Sequence, residues 1–265
     1  MEKLPYKAKK YSNRQVKVME NNIARLYSMI KECNNLVFFG GAGVSTESGV
    51  KDYRSKDGLY NTVNEYGVPP EVILSHSFFF QKPKVFYDFY KKYFISDARP
   101  NNAHNFLAYL ENTGKLTAVI TQNIDGLHQM AGSKNVIELH GTAKEFYCSS
   151  CLKALDSETV IKEIKNSKIP KCPHCNSIAK PKVVLYEEPL YDGIAESAVS
   201  HIHKADMLIV GGTSLAVYPA ASFVEYFRGK YIVIINKSET SFDKRADLVI
   251  NDSIGNVFSE VMKNE

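Results

Sequence analysis

From Asn13 to Cys33 the apolar residues Val16, Met19, Ile23, Leu26, Tyr27 and Ile30 recur at spacings of three and four, which predicts an amphipathic helix with one buried face. The rhythm then changes. "NLVFFGG" is a compact apolar run that stops at glycine, and "KLTAVITQN", "ADMLIVGGTS" and "YIVIINKS" repeat the form. Each predicts a short strand buried on both faces. Helical patterns, "AHNFLAYLENTG" and "PAASFVEYFRG" among them, fall between the strands. Strand and helix in alternation predict an α/β fold, a doubly wound parallel sheet.

Two segments break the alternation. Lys51 to Asn102 is dense in aromatic residues and reads as helical, while Gly141 to Glu188 carries two cysteine pairs and several prolines. The expected organisation is one sheet domain from residues 1–50, 104–140 and 189–265. A smaller domain would be made from two insertions, a helical module at 51–103 and a zinc module at 141–188.

Composition narrows the class. Over 265 residues, 44% are hydrophobic and 23% charged, ordinary for a folded globular chain. Lysine and arginine number 33 against 29 acids, and the basic residues are spread, so nucleic acid is not expected as a primary partner. The first residues are charged, and no apolar stretch reaches the ~18 residues of a membrane span, so a cytoplasmic protein without membrane contact is expected.

In open parallel sheets the first strand-to-helix turn is the usual phosphate seat. Here it reads "FFGGAGVSTESGVKDYRS", in which Gly41, Ala42 and Gly43 would let backbone amides approach a diphosphate. Thr46 replaces the third glycine of the full dinucleotide motif, so a plain structural turn remains open on this feature alone. Ser45, Ser48, Asp52, Tyr53 and Arg54 follow within one loop, an unusual concentration for a mere connector; Arg54 would stabilise phosphate and Tyr53 would cover a bound ring.

Cys148, Cys151, Cys172 and Cys175 form C-x2-C-x20-C-x2-C. Four thiolates at such spacing close a tetrahedron and leave no open coordination position, so one structural zinc ion is expected, with His174 exposed rather than ligating. A zinc ribbon also permits a binding module without catalysis, and that alternative stands beside an enzyme.

Val119 to Thr142 carries Gln122, Asn123 and Asp125 where a buried strand emerges, and His140 closes a second short apolar run. A histidine, an asparagine and an aspartate at adjacent strand ends suit proton transfer.

With these residues in view, the chain resembles the sirtuins, NAD-dependent protein-lysine deacylases. The resemblance rests on "GAGVSTESGVKDYRS", "TQNIDGLHQ", "IELHGT", the two cysteine pairs, "GGTSLAVYPA" and "VIIN", in that order from about Asn34 to Ile254. It implies a Rossmann-like sheet domain, with NAD consumed as co-substrate in a cleft beside the smaller domain. By motif, Gly41, Ala42 and Gly43 would approach the diphosphate, and Asp52, Tyr53 and Arg54 would close over the nicotinamide side. Ser45, Gln122, Asn123 and Asp125 would surround the nicotinamide ribose and carboxamide, while Gly212, Thr213, Ser214, Asn236, Ser253 and Ile254 would hold the adenosine half. His140 would be the general base, with Asn123 and Asp125 beside it in the catalytic set. The implied products are free lysine, nicotinamide and O-acyl-ADP-ribose.

The same resemblance makes "PKVVLYEE" the strand on which an acylated peptide of a protein substrate pairs, with Val184 and Tyr186 lining the acyl-lysine tunnel. Four positions depart from the family pattern: Lys51 stands for proline, Tyr53 and Tyr186 for phenylalanine and Glu187 for glycine. Glu187 adds charge near the peptide path, so basic residues flanking the lysine are expected to be preferred. A protein mono-ADP-ribosyltransferase using the same cleft is the alternative from a neighbouring reaction class.

Overall fold

The computed structural model of the chain describes residues 13–52, 58–59 and 63–264. Among the described residues nine strands run in chain order: β1 (Leu36–Gly40), β2 (Leu116–Thr121), β3 (Val136–Glu138), β4 (Gly141–Cys148), β5 (Ala154–Leu155), β6 (Ala179–Val183), β7 (Met207–Gly211), β8 (Tyr231–Ile235) and β9 (Leu248–Ile250). Six of them pair in parallel in the order β3-β2-β1-β7-β8-β9. Renumbered among themselves these strands read 3-2-1-4-5-6, the order of a Rossmann sheet, whose direction of winding reverses between β1 and β7.

The alternation of side chains along each strand builds two cores. Leu36, Phe38, Val119, Ile209 and Val233 face one way, against helices α1 (Asn13–Glu32), α6 (Asn102–Asn112) and α10 (Ile254–Met262). Val37, Phe39, Ile120, Leu208 and Ile234 face the other way, against α9 (Ile194–Lys204) and residues Ala220–Tyr226. Burial on both faces is why these strands read as unbroken apolar runs. In α1 the expected face is largely the buried one: Ile23, Leu26 and Ile30 are in the core, whereas Val16, in the first turn, is exposed.

The third core belongs to the insertions. Short helices α2 (Val63–Tyr66), α3 (Pro70–Ile73) and α4 (His76–Gln81) lead into α5 (Pro83–Tyr93), whose Phe86, Tyr87, Phe89 and Tyr90 pack on the three-stranded sheet β5-β4-β6 and on α8 (Ser157–Lys165). Tyr90 Oη donates to Ala143 O at 2.9 Å, and Tyr87 Oη donates to Ala179 O, so each buried phenol finds a carbonyl of the small sheet. One further helix, α7 (Leu127–Met130), connects β2 to β3.

One expected helix is different in kind. "PAASFVEYFRG" forms a 3₁₀ run, Ala220–Tyr226, rather than an α-helix. Ser222 donates its hydroxyl back to Pro219 O at 2.7 Å, competing for a carbonyl that a regular α-turn would use.

Candidate active site and metal centre

The site begins where three strands end level. Gly40 of β1 pairs with Thr121 of β2 on one side and with Gly211 of β7 on the other, so the loops that follow leave the sheet together at the reversal point. They are in contact. Gly41 N donates to Gly211 O at 3.3 Å and Gly43 N to Gly212 O at 2.8 Å. A Cβ at Gly43 would lie 2.7 Å from Gly212 Cα, and one at Gly41 would lie 2.9 Å from Thr213 Cβ. Glycine is therefore required at both positions by the approach of the second loop, and Gly212 adopts φ 60° to make it.

Gln122 ties the three ends to the histidine. Its N–H donates to Gly40 O at 3.0 Å, its Nε2 donates to Thr213 Oγ1 at 3.1 Å, and its carbonyl accepts from His140 Nδ1 at 3.0 Å. Because Nδ1 must carry the proton to donate there, the free nitrogen of neutral His140 is Nε2, a bare base. Burial lowers the His140 pKa, and the bond to Gln122 opposes the shift.

Beside it, Ser45, Asn123 and Asp125 form one cluster. The fully buried Ser45 Oγ donates to Asp125 Oδ2 at 2.7 Å and accepts from Asn123 Nδ2 at 3.1 Å. Leu127 N donates to the other oxygen of Asp125 at 2.9 Å. The His104 ring lies behind Ser45, with Nε2 3.4 Å from Oγ.

The remaining expected residues are placed as follows. Asn236, after β8, donates its N–H to Ile250 O at 3.1 Å in a sheet-like bond and its side-chain amide to Ser238 O at 2.8 Å. Ser253 precedes α10 and donates to Glu47 Oε1 at 2.9 Å, while Ile254 points into the core and packs on Gly211. Thr213 is buried and Ser214 exposed; Asp52 accepts from Leu59 N through its carbonyl at 2.8 Å. Tyr53 and Arg54 lie outside the described residues.

Val184 N donates to His140 O at 2.9 Å, so the segment beyond β6 is attached to the histidine's own backbone. Tyr186 pairs through both its N–H and its carbonyl with Leu74 and His76, and its side chain is exposed. Gly141 has φ 72°, and a Cβ there would meet Lys182 O at 2.1 Å, which is why glycine follows the histidine.

The four cysteine Sγ atoms lie within 4.8 Å of one another, with Cys148–Cys175 at 3.3 Å and Cys151–Cys172 at 3.8 Å. Zinc at about 2.3 Å from each of four thiolates implies sulfur separations of about 3.8 Å, so the residues present fit the ion. Amides add to the fit: Ser150 N and Cys151 N point at Cys148 Sγ, and His174 N points at Cys172 Sγ. Hydrogen bonds from Ser177, backbone first, hold the Cys175 thiol down at about 6. His174 is exposed, as expected.

Sequence reasoning passed over Asn101, His104 and Glu47. The signal for the first two was present: Asn-x-x-His before an apolar-periodic run has the form of a helix capping box.

A model described as the Sir2 family matches residues 41–219, from the glycine loop through the zinc module to the β7 loop. NAD-dependent protein deacetylases of Clostridium acetobutylicum and Clostridium perfringens are each 54% identical to this chain; the alignments cover 91% and 92% of it and 98% and 100% of the relatives. A solved structure described as Sir2 with p53 peptide and NAD+ superposes with a TM-score of 0.83 at 38% identity, covering 91% of this chain and 98% of that one. Another, Sir2 bound to acetylated peptide, gives 0.81 at 37% identity with the same coverage. Matched by the family model over residues 41–219 and 54% identical to relatives across nine-tenths of its length, the chain belongs to the Sir2 family.

Proposed function

We propose that the protein removes acyl groups from lysine side chains of other proteins, transferring the acyl group to ADP-ribose and releasing nicotinamide. The observation that carries the reading is His140: its Nδ1–H is committed to Gln122 O, so Nε2 is left as a base at the same strand ends that hold Ser45, Asn123 and Asp125.

NAD supplies, when bound, an anomeric carbon that accepts the acyl oxygen as nicotinamide departs. Gly41, Ala42 and Gly43 would seat its diphosphate against backbone, and Gly212, Thr213, Ser214, Asn236, Ser253 and Ile254 would border the adenosine side. Ser45, Asn123 and Asp125 would orient the ribose and carboxamide, the aspartate contributing a fixed negative charge. His140 Nε2 would take the proton from a ribose hydroxyl, whose oxygen bonds to the acyl carbon. The bond from that carbon to the lysine nitrogen breaks and the amine leaves protonated, while water adds to the acyl carbon as its bond to the anomeric oxygen breaks, so the acyl group stays on the ribose. Val184 and Tyr186 would flank the lysine side chain, and a structural zinc ion on the four cysteines would hold that wall in place.

Incubation with NAD and an acetyl-lysine peptide should yield nicotinamide and free-lysine peptide in equal amounts. His140→Ala should lower the rate by about 10²–10⁴ with an unchanged thermal midpoint, as expected for loss of a general base. Nicotinamide without deacylation would point to ADP-ribosyl transfer, and neither product would leave a binding module. Since burial lowers the His140 pKa, the acid limb of the rate profile should fall below the ordinary imidazole value of about 6.5.

A further inference from the structure

The N-terminus of α6 lies against the back of the Ser45 cluster, and its cap reaches into the cluster. Asn101 Oδ1 accepts from Ala103 N at 2.8 Å, and His104 Nδ1 accepts from Asn101 N at 3.2 Å. The same asparagine donates from Nδ2 to Val44 O at 2.7 Å and to Ser48 Oγ at 3.0 Å, holding the glycine loop on both sides of Ser45. An imidazole nitrogen that accepts a hydrogen bond carries no proton, so the proton of neutral His104 sits on Nε2. That nitrogen can then only donate to Ser45 Oγ, 3.4 Å away.

The consequence runs outward from there. Ser45 Oγ now receives two donors, His104 Nε2–H and Asn123 Nδ2–H, and its single proton is directed to Asp125 Oδ2. Asp125 Oδ1 is held separately by Leu127 N. We propose that His104 is a positioning residue of the reaction: by donating from Nε2 it sets the direction of the Ser45 hydroxyl and so orients the Asp125 carboxylate toward substrate. The inference rests on the deacylase reading of this site.

The surroundings keep His104 in the required form. Its ring is fully buried and packs 4.7 Å from the ring of His128, also buried. Burial lowers the His104 pKa, against the attraction of Asp125. A proton on Nδ1 would oppose the Asn101 N–H and break the cap, so the helix itself selects the tautomer.

A histidine that served only to cap α6 would affect stability and nothing else, and a double-mutant cycle separates the two roles. Initial rates of nicotinamide release, with NAD varied at saturating acetyl-lysine peptide, would be measured for the native protein, His104→Phe, Ser45→Ala and the double variant. His104→Phe should lower kcat/KM for NAD by about tenfold, the scale of one hydrogen bond, with the peptide KM unchanged. In the Ser45→Ala background the same change should cost less than about twofold, because the hydroxyl through which it acts is gone. His104→Gln keeps an acceptor for the cap and so guards the fold; it should show a smaller loss with the same dependence on Ser45. Equal losses in both backgrounds would overturn the proposal and leave His104 a cap. No NAD-dependent deacylation by the native protein would instead sink the function beneath it, so the two failures read differently.

Discussion

Glu187 occupies left-handed backbone, φ 75°, where a residue with a side chain costs about 1–2 kcal/mol relative to the right-handed region. Its carboxylate accepts from Ser77 N at 2.9 Å and Ser77 Oγ at 2.7 Å, in the first turn of α4, and those bonds keep its pKa below the usual carboxylate range. The side chain is thus anionic and tethered, one residue beyond Tyr186. Peptides with basic residues flanking the acyl-lysine should bind with a KM a few-fold lower than acidic ones, the modest scale of an exposed charge. In Glu187→Gln the ratio should approach one; a ratio already near one in the native protein would count against the idea. Glu187 was visible in the sequence as a departure from the family glycine. Its tether was not, because Ser77 lies 110 positions away.

At the scale of elements, the two insertions form one body. The bridge between Ser75 and Tyr186, the bond from Val184 N to His140 O, and the phenols of Tyr87 and Tyr90 join the helices to the small sheet and the small sheet to the site. The four cysteines that could hold one zinc ion lie in that body. One zinc ion per chain should be found by elemental analysis, and a strong chelator should abolish deacylation, since structural zinc contributes folding free energy directly. Hydrogen exchange should then show β4 and β6 losing protection while β1, β2 and β7 keep theirs. Full protection of β4 and β6 without zinc would mean that the aromatic core of α5 suffices alone. The strands and the cysteine quartet were legible because their signals are local: apolar runs that end at glycine, and two short cysteine spacings. The 3₁₀ run at Ala220–Tyr226 was not, because its apolar spacing is that of a helix and a back-bonding serine decides the turn.

For the whole molecule, two buried imidazoles between α6, α7 and the sheet make stability depend on pH. His128 has no hydrogen-bond partner for either ring nitrogen among the described residues, and burial first, then His104, holds its pKa down at about 3. His104 is held at about 4. Unfolding returns both to about 6.5, so below that value the unfolded chain takes up protons the folded chain refuses, and stability falls as pH falls. Each imidazole contributes about 1.4 kcal/mol per pH unit between its two pKa values. The urea midpoint should therefore drop between pH 7.5 and 5, and His128→Phe should flatten the slope; an unchanged midpoint over that interval would refute the assignment. By itself the sequence determined the alternation of strand and helix, the place of the glycine loop, the cysteine quartet that could hold zinc and the histidine at the strand ends, because periodicity, turn chemistry and ligand spacing act over short stretches of chain. Only the tertiary structure decided which nitrogen of His140 and of His104 carries the proton, and that Ser45 meets Asp125 across 80 positions, because a tautomer is set by whichever partner folding delivers to the other side of the ring.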